Sequence, residues 1–250
     1  MRDEGSFSNT DRDSPDGYRS LAAEVLESLA SRRLRSEVRV RQSLLTRMIA
    51  SVKSPIGEAT ETLCLEFRRA RVPMTDMADI YIPEVARHLG RAWEQDRVSF
   101  AEVTVGLSRL HTLLHEVQAD WVADSADRSR MSATLLIVPP QEQHTLGAMI
   151  LASQLRRKGV SVCIRIAPGM NDLSSLVADG RFDAAMVTLG SKDRLETCAK
   201  LVKTLKTMTK GLLNVAVGGA VVDENRDVLL DAGVDVVTND VATVVQQFKL

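Results

Sequence analysis

The spacing of apolar positions divides the chain into two halves with different periods. From Tyr18 to Trp121, hydrophobic residues recur at helix-face intervals: Leu21, Val25, Leu26 and Leu29, then Val38, Leu44, Leu45, Met48 and Ile49. Pro55 sits where a helix can begin, and Leu63, Cys64 and Phe67 continue one face. Pro73 breaks the chain, and Thr75 is placed to cap a helix carrying Met77, Ile80 and Tyr81. A long last helix is expected over 99–121, with Val103, Leu107, Leu110, Leu114 and Val117 on one stripe. Helices joined by short loops predict a bundle of about four over 18–121.

The segment 122–130 (VADSADRSR) is small, polar and charged, and reads as a linker. Beyond it the period changes. Continuous apolar runs at 133–138, 160–166, 184–189, 212–217 and 234–237 have the character of parallel strands covered on both faces. Helical stretches separate them, at 145–158, 172–178, 192–207 and 224–232, and 240–248 forms the last. Alternating strands and helices predict a doubly wound α/β domain over 131–250, with a parallel five-stranded sheet in the flavodoxin-like order 2-1-3-4-5. Residues 1–17 are polar and almost without apolar anchors, and are expected to form a disordered tail.

Composition narrows the function classes. Hydrophobic residues make up 44% of the 250, enough for a packed core. Lys and Arg (32) nearly balance Asp and Glu (33), which argues against a dedicated polyanion binder. Cys64, Cys163 and Cys198 are far apart and form no CxxC pair, so neither a zinc knuckle nor a disulfide framework is readable. The acidic N-terminus has no apolar stretch of the secretory kind, and no run approaches the roughly 20 apolar residues of a membrane helix. A soluble cytoplasmic protein without membrane association is expected. Arg32, Arg33, Arg35, Arg39 and Arg41 cluster in a run that can contact phosphates. More often such a run is a solvated helix face or a dock for an acidic partner. With no recognisable nucleic-acid-binding motif beside it, a protein partner is favoured over direct DNA contact.

Candidate chemistry has few places to sit, because the chain holds four histidines and two tryptophans. Ligands of doubly wound sheets bind at the carboxyl ends of the strands. After the first strand comes Pro139-Pro140-Gln141-Glu142-Gln143-His144-Thr145-Leu146-Gly147, and a helix follows at once. His144 is either an ordinary loop histidine or a group facing a ligand. Glu142, two residues earlier, can fix the tautomer of a metal-ligating imidazole, and Gly147 allows close approach of backbone.

Glu142-x-His144-x-x-Gly147 resembles the DxHxxG motif of cobalamin-binding domains, with Glu in place of Asp. Thr188-Leu189-Gly190 lies where that family carries S-x-L, with Thr for Ser and Gly for Leu, and Gly218-Gly219 matches its Gly-Gly pair. The resemblance covers 131–250. It implies that His144 coordinates cobalt from below, replacing the cofactor's own dimethylbenzimidazole, with Glu142 as its partner. It implies further that Thr188 meets the displaced base or tail, and that Gly218 and Gly219 leave room for that tail. Some relatives of the domain bind haem, which is the alternative cofactor.

The segment from Pro83 to Trp93, containing Leu89-Gly90-Arg91-Ala92-Trp93, is similar to the helical cap that precedes cobalamin domains in light- and ligand-responsive regulators. There the tryptophan covers the upper face of the corrin, which makes Trp93 the candidate; its other reading is a bundle-core tryptophan. The Glu-His pair usual in those regulators would fall at Val103 and Thr104 and is absent. His111 and His115 are spaced i, i+4 but have no accompanying carboxylates, so a surface or interface pair is expected; His88 is expected at a boundary.

Cap, linker and α/β domain together resemble the AerR/PpaA group of purple photosynthetic bacteria. The resemblance implies a cobalamin-dependent, light-responsive transcriptional antirepressor acting by contact with a repressor protein of photosynthesis genes. The alternative on the same layout is a corrinoid carrier of a methyltransferase system, or a haem-binding redox sensor. No Ser-His-Asp set, P-loop or nicotinamide fingerprint is present, and no independent catalysis is expected.

Overall fold

A computed structural model describes residues 40–54, 60–122, 132–178 and 180–250. Outside these residues lie the expected tail, the Leu21–Leu29 face, Pro55, most of the linker and all of the arginine cluster except Arg41. The first half is helical: α1 (Gln42–Lys53), α2 (Thr60–Arg69), α3 (Met74–Asp76), a π-helical turn (Met77–Tyr81), α4 (Ile82–Glu94) and α5 (Phe100–Val122). Pro73, at φ −58°, opens α3 itself with no side-chain cap, so Thr75 lies within the first turn and caps nothing. The π-turn precedes Pro83, which has no backbone N–H and whose ring crowds the carbonyl four residues back. The helix accommodates it by widening, and Ile82 N donates to Met77 O.

The bundle closes on Met48, Phe67, Tyr81, Leu89, Leu110 and Leu114, all at most 2% exposed. Phe67 and Tyr81 meet edge to face at 4.8 Å. Val103 and Leu107 leave the stripe on which sequence spacing places them. Leu110, Leu114 and Val117 enter the core, whereas Val103 and Leu107 are only part-buried and line a cavity.

In the second half, β1 (Ala133–Val138), β2 (Ser161–Ile166), β3 (Ala184–Thr188), β4 (Asn214–Gly218) and β5 (Val236–Val237) pair in parallel in the order β2-β1-β3-β4-β5. This is the flavodoxin-like order. Helices α6 (Thr145–Arg157), α7 (Met170–Ala178), α8 (Leu195–Met208), α9 (Arg226–Asp231) and α10 (Val241–Phe248) connect or follow the strands. Alternation along β1 sends Leu135 and Ile137 into the core with Leu173, Cys198 and Leu205, and Leu136 and Val138 into the opposite core with Ala148, Leu155 and Val244. The thiol of Cys198 is pushed up to about 12 by this burial. One strand departs from expectation. β2 is an edge strand with no fully buried residue, so its apolar run does not mark a strand covered on both faces.

Residues 42–250 form one compact unit. Within it, α5 packs on α6, and Arg157 Nη2 on α6 donates to both carboxylate oxygens of Asp79 in the π-turn, at 2.7 and 2.5 Å. Burial raises the pKa of neighbouring Asp76, and the charge of Asp79 adds to the effect. Among the described residues, no helix is long and apolar enough to cross a membrane.

Candidate functional site

The polypeptide leaves β1 through a turn that buries a carboxylate. Glu142 N donates to Pro139 O, and Gln141 takes a left-handed φ of 65°, uncommon for a residue with a Cβ. The Glu142 side chain is 1% exposed. One oxygen accepts His144 N at 2.9 Å and lies 2.5 Å from His144 Nδ1; the other accepts Gly190 N, from the loop after β3, at 2.8 Å. Burial alone would raise this carboxyl, but hydrogen bonds from the His144 and Gly190 amides and the imidazole outweigh it and hold Glu142 below the usual range. The imidazole is 68% exposed, and with Nδ1 engaged, Nε2 is its available ligand atom. His144 is also the N-cap residue of α6, but its side chain makes no capping bond.

This pair stands in the wall of a cavity of about 1330 Å³, bounded by α4, α5, the start of α6 and the loops after β1, β3, β4 and β5. Pockets for drug-sized ligands are usually about 300–1,000 Å³, so this one suits a larger molecule. His144, Gly147, Thr188, Gly190, Gly218, Gly219 and Trp93 all line it, and Glu142 lies directly behind His144. A Cβ at Gly147 would meet open space. Thr188 Oγ1 is buried without a hydrogen-bond partner, which leaves it available to a ligand.

Gly218 and Gly219 line the cavity, and the protein's own backbone makes a separate demand for glycine at both. A Cβ on Gly218 would lie 2.8 Å from Thr238 O, and one on Gly219, at φ +140°, would lie 2.1 Å from Leu189 O. Backbone of the protein itself fills that space. Asn239 then clamps the loop, its Oδ1 accepting Gly219 N and its Nδ2 donating to Gly219 O.

The bundle wall is softer. Trp93 is 50% exposed at the end of α4, which sets aside the bundle-core reading. Phe100, at the start of α5, is 69% exposed, with its ring 6.5 Å from that of Trp93. Val103 and Thr104 line the same wall, so the positions lacking a Glu-His pair do face the cavity. Glu84 accepts from Arg87 and Arg91 and is held below the usual carboxylate range, chiefly by the Arg87 hydrogen bond.

His111 belongs to this cavity, against the expectation of a surface pair. It is part-buried and its Nε2 lies 3.4 Å from Thr145 Oγ1, whereas His115 is exposed. Burial holds the His111 imidazole below its usual value. Its spacing from Val103 and Leu107 (i+8, i+4) was the available signal. His88 is part-buried as expected, and its pKa is lowered first by burial. No cluster of three or more metal-ligating side chains occurs among the described residues.

These residues fit a corrinoid. His144 presents one free ring nitrogen, Thr188 an unpaired buried hydroxyl, and the opposite wall large apolar surfaces. Residues 132–248 match the family described as the B12 binding domain. The fold resembles that of a monomethylamine corrinoid protein of Methanosarcina barkeri, with a TM-score of 0.67 at 14% identity over 83% of this chain and 98% of that one. An uncharacterized 20.5 kDa protein from the bchF-crtJ intergenic region of Rhodobacter capsulatus is 55% identical over 185 residues, covering 74% of this chain and 96% of that protein. The chain therefore carries a domain of the B12-binding family over residues 132–248 and is a cobalamin-binding protein.

Proposed function

We propose that this cobalamin-binding protein is a non-enzymatic, light-responsive regulator that acts as an antirepressor by contacting a transcriptional repressor of photosynthesis genes. The observation that carries the reading is the asymmetry of the cavity, with a hydrogen-bonded imidazole on the sheet side and exposed aromatic surface on the bundle side. The relative in the bchF-crtJ intergenic region, a photosynthesis gene region, supports the regulatory context. Cobalamin, when bound, would supply a cobalt centre whose chemistry can respond to light.

The protein's own part is binding and reporting. Nε2 of His144 would hold the metal, while Glu142 hydrogen-bonds to Nδ1 and fixes the ring. Thr188 Oγ1 receives a hydrogen bond from the ligand's tail or donates one to it. Trp93 and Phe100 would pack against the ligand and exclude water, so that its size would favour one bundle position over another. A ligand shifts such an equilibrium only by its difference in affinity for the two positions. The repressor reads that position through protein contact; direct DNA contact through the Arg32–Arg41 cluster is the lesser route.

The test is absorbance of the purified full chain after exposure to hydroxocobalamin, adenosylcobalamin, methylcobalamin or haem, followed by repressor pull-down in dark and light. A co-eluting corrinoid spectrum that changes in His144→Ala, with light-dependent capture of the repressor, is expected. Haem in place of corrinoid would overturn the cofactor assignment, and capture indifferent to light and ligand would overturn the switch.

A further inference from the structure

Gly190 and Glu142 are far apart in sequence yet share one hydrogen bond and one volume of space. They are also two of the three positions at which the chain departs from the motifs it resembles, Thr188 being the third. We propose that Glu142 and Gly190 form a matched positioning pair: the missing side chain at 190 makes the room in which the longer carboxylate spans from the imidazole of His144 to the amide of Gly190. The inference rests on the cobalamin-binding reading only for its consequence in ligand affinity.

Three observations carry it. Gly190 is not in the left-handed region, so its backbone would tolerate a side chain and the demand for glycine is one of space. A Cβ there would lie 2.8 Å from His144 Nδ1, 3.0 Å from His144 Cγ and 3.0 Å from Glu142 Oε2. The two neighbours differ in their freedom to yield. Glu142 is enclosed and accepts bonds from two amides, whereas the His144 side chain is 68% exposed and secured by Nδ1 alone. Added bulk at 190 therefore turns the imidazole away and breaks its bond to Glu142.

Shortening the carboxylate does the complementary damage. An aspartate at 142 cannot reach both His144 and the Gly190 amide, and one buried donor is left without its acceptor. Once the carboxylate is shorter, its oxygen draws back from the space that a methyl at 190 would enter. The two substitutions together are expected to offset each other. A merely structural glycine would show independent effects.

The experiment uses the ligand-free full chain and two-bond 1H–15N imidazole spectra, with His144 assigned from its absence in His144→Ala. In the parent, the His144 proton sits on Nδ1 and Nε2 is bare. In Gly190→Ala the signal moves toward the Nε2-protonated form, and in Glu142→Asp/Gly190→Ala it returns toward the parent. Hydroxocobalamin affinity falls about 10- to 100-fold in Gly190→Ala, the range typical when the group orienting a metal ligand is disturbed. The double variant recovers most of that loss. Circular dichroism on each variant confirms that the fold persists. A Gly190→Ala spectrum and affinity equal to the parent's, or strictly additive single effects, overturn the pair while leaving cobalamin binding in place. A parent that binds no corrinoid but loses its Nδ1 proton in Gly190→Ala overturns the cobalamin reading and leaves the pair standing.

Discussion

The two walls of the cavity are built on opposite principles. On the sheet side, Glu142 binds His144 and Gly190, Asn239 clamps Gly219, and Gly219 touches backbone of the loop after β3. On the bundle side, Trp93 and Phe100 are half or more exposed and meet mainly each other. Apart from the unpaired hydroxyl of Thr188, these polar groups of the first wall are fixed before any ligand arrives, because burial without partners would cost them about 1–3 kcal/mol each. Apolar surface in the second gains its burial only when something fills the space. In the proposed function, the sheet sets where a ligand sits and the bundle responds to what the ligand is.

Substitutions can break this contrast in a graded way. Gly219→Ala has the largest expected effect, since its Cβ meets carbonyl oxygen at a φ that side chains rarely adopt. Loss of about 3 kcal/mol or more is expected, visible as a lowered Tm or lack of folded protein. Next, His144→Ala leaves the fold intact and weakens corrinoid binding about 100-fold by titration, corresponding to about 2.7 kcal/mol. Trp93→Ala ranks below it, with a loss of about tenfold and an unchanged imidazole environment in the ligand-free chain. Equal losses of ligand-free stability in His144→Ala and Trp93→Ala would erase the distinction between the walls. Asp79→Ala is expected to cost about 1 kcal/mol, because its pair with Arg157 is only part-buried.

The smallest effect is one of pH. The pKa of Glu142 is lowered in the folded chain, so its contribution is fully present above the ordinary carboxylate range and is lost as pH falls through the depressed value. Thermal melts of the parent and Glu142→Gln should therefore converge in strong acid and separate as pH rises past the carboxylate range. A constant difference across that window would remove the carboxylate charge from the account.

Local spacing made the sheet wall legible and left the bundle wall half-read. Glu142, His144 and Gly147 fall in one loop, and the strand pattern alone places that loop at the carboxyl edge of the sheet. The contact from Glu142 to Gly190 joins separate strand ends, and no periodicity records it. Period also failed to divide α5, because a helical stripe reports apolar faces without saying which neighbour each meets. Leu110 and Val117 went to the core, while Val103, Leu107 and His111, which was expected in a surface or interface pair, went to the cavity. The edge position of β2 was hidden for a related reason: Val162, Cys163 and Ile164 are as apolar as a central strand.

The ion pair between Asp79 and Arg157 gives the cavity a fixed side and a free side. Asp79 lies fourteen residues before Trp93 along nearly continuous helix, a separation of about 20 Å at 1.5 Å per residue. Added salt screens such a pair, so the stability that Asp79 and Arg157 lend to the junction is expected to shrink as ionic strength rises.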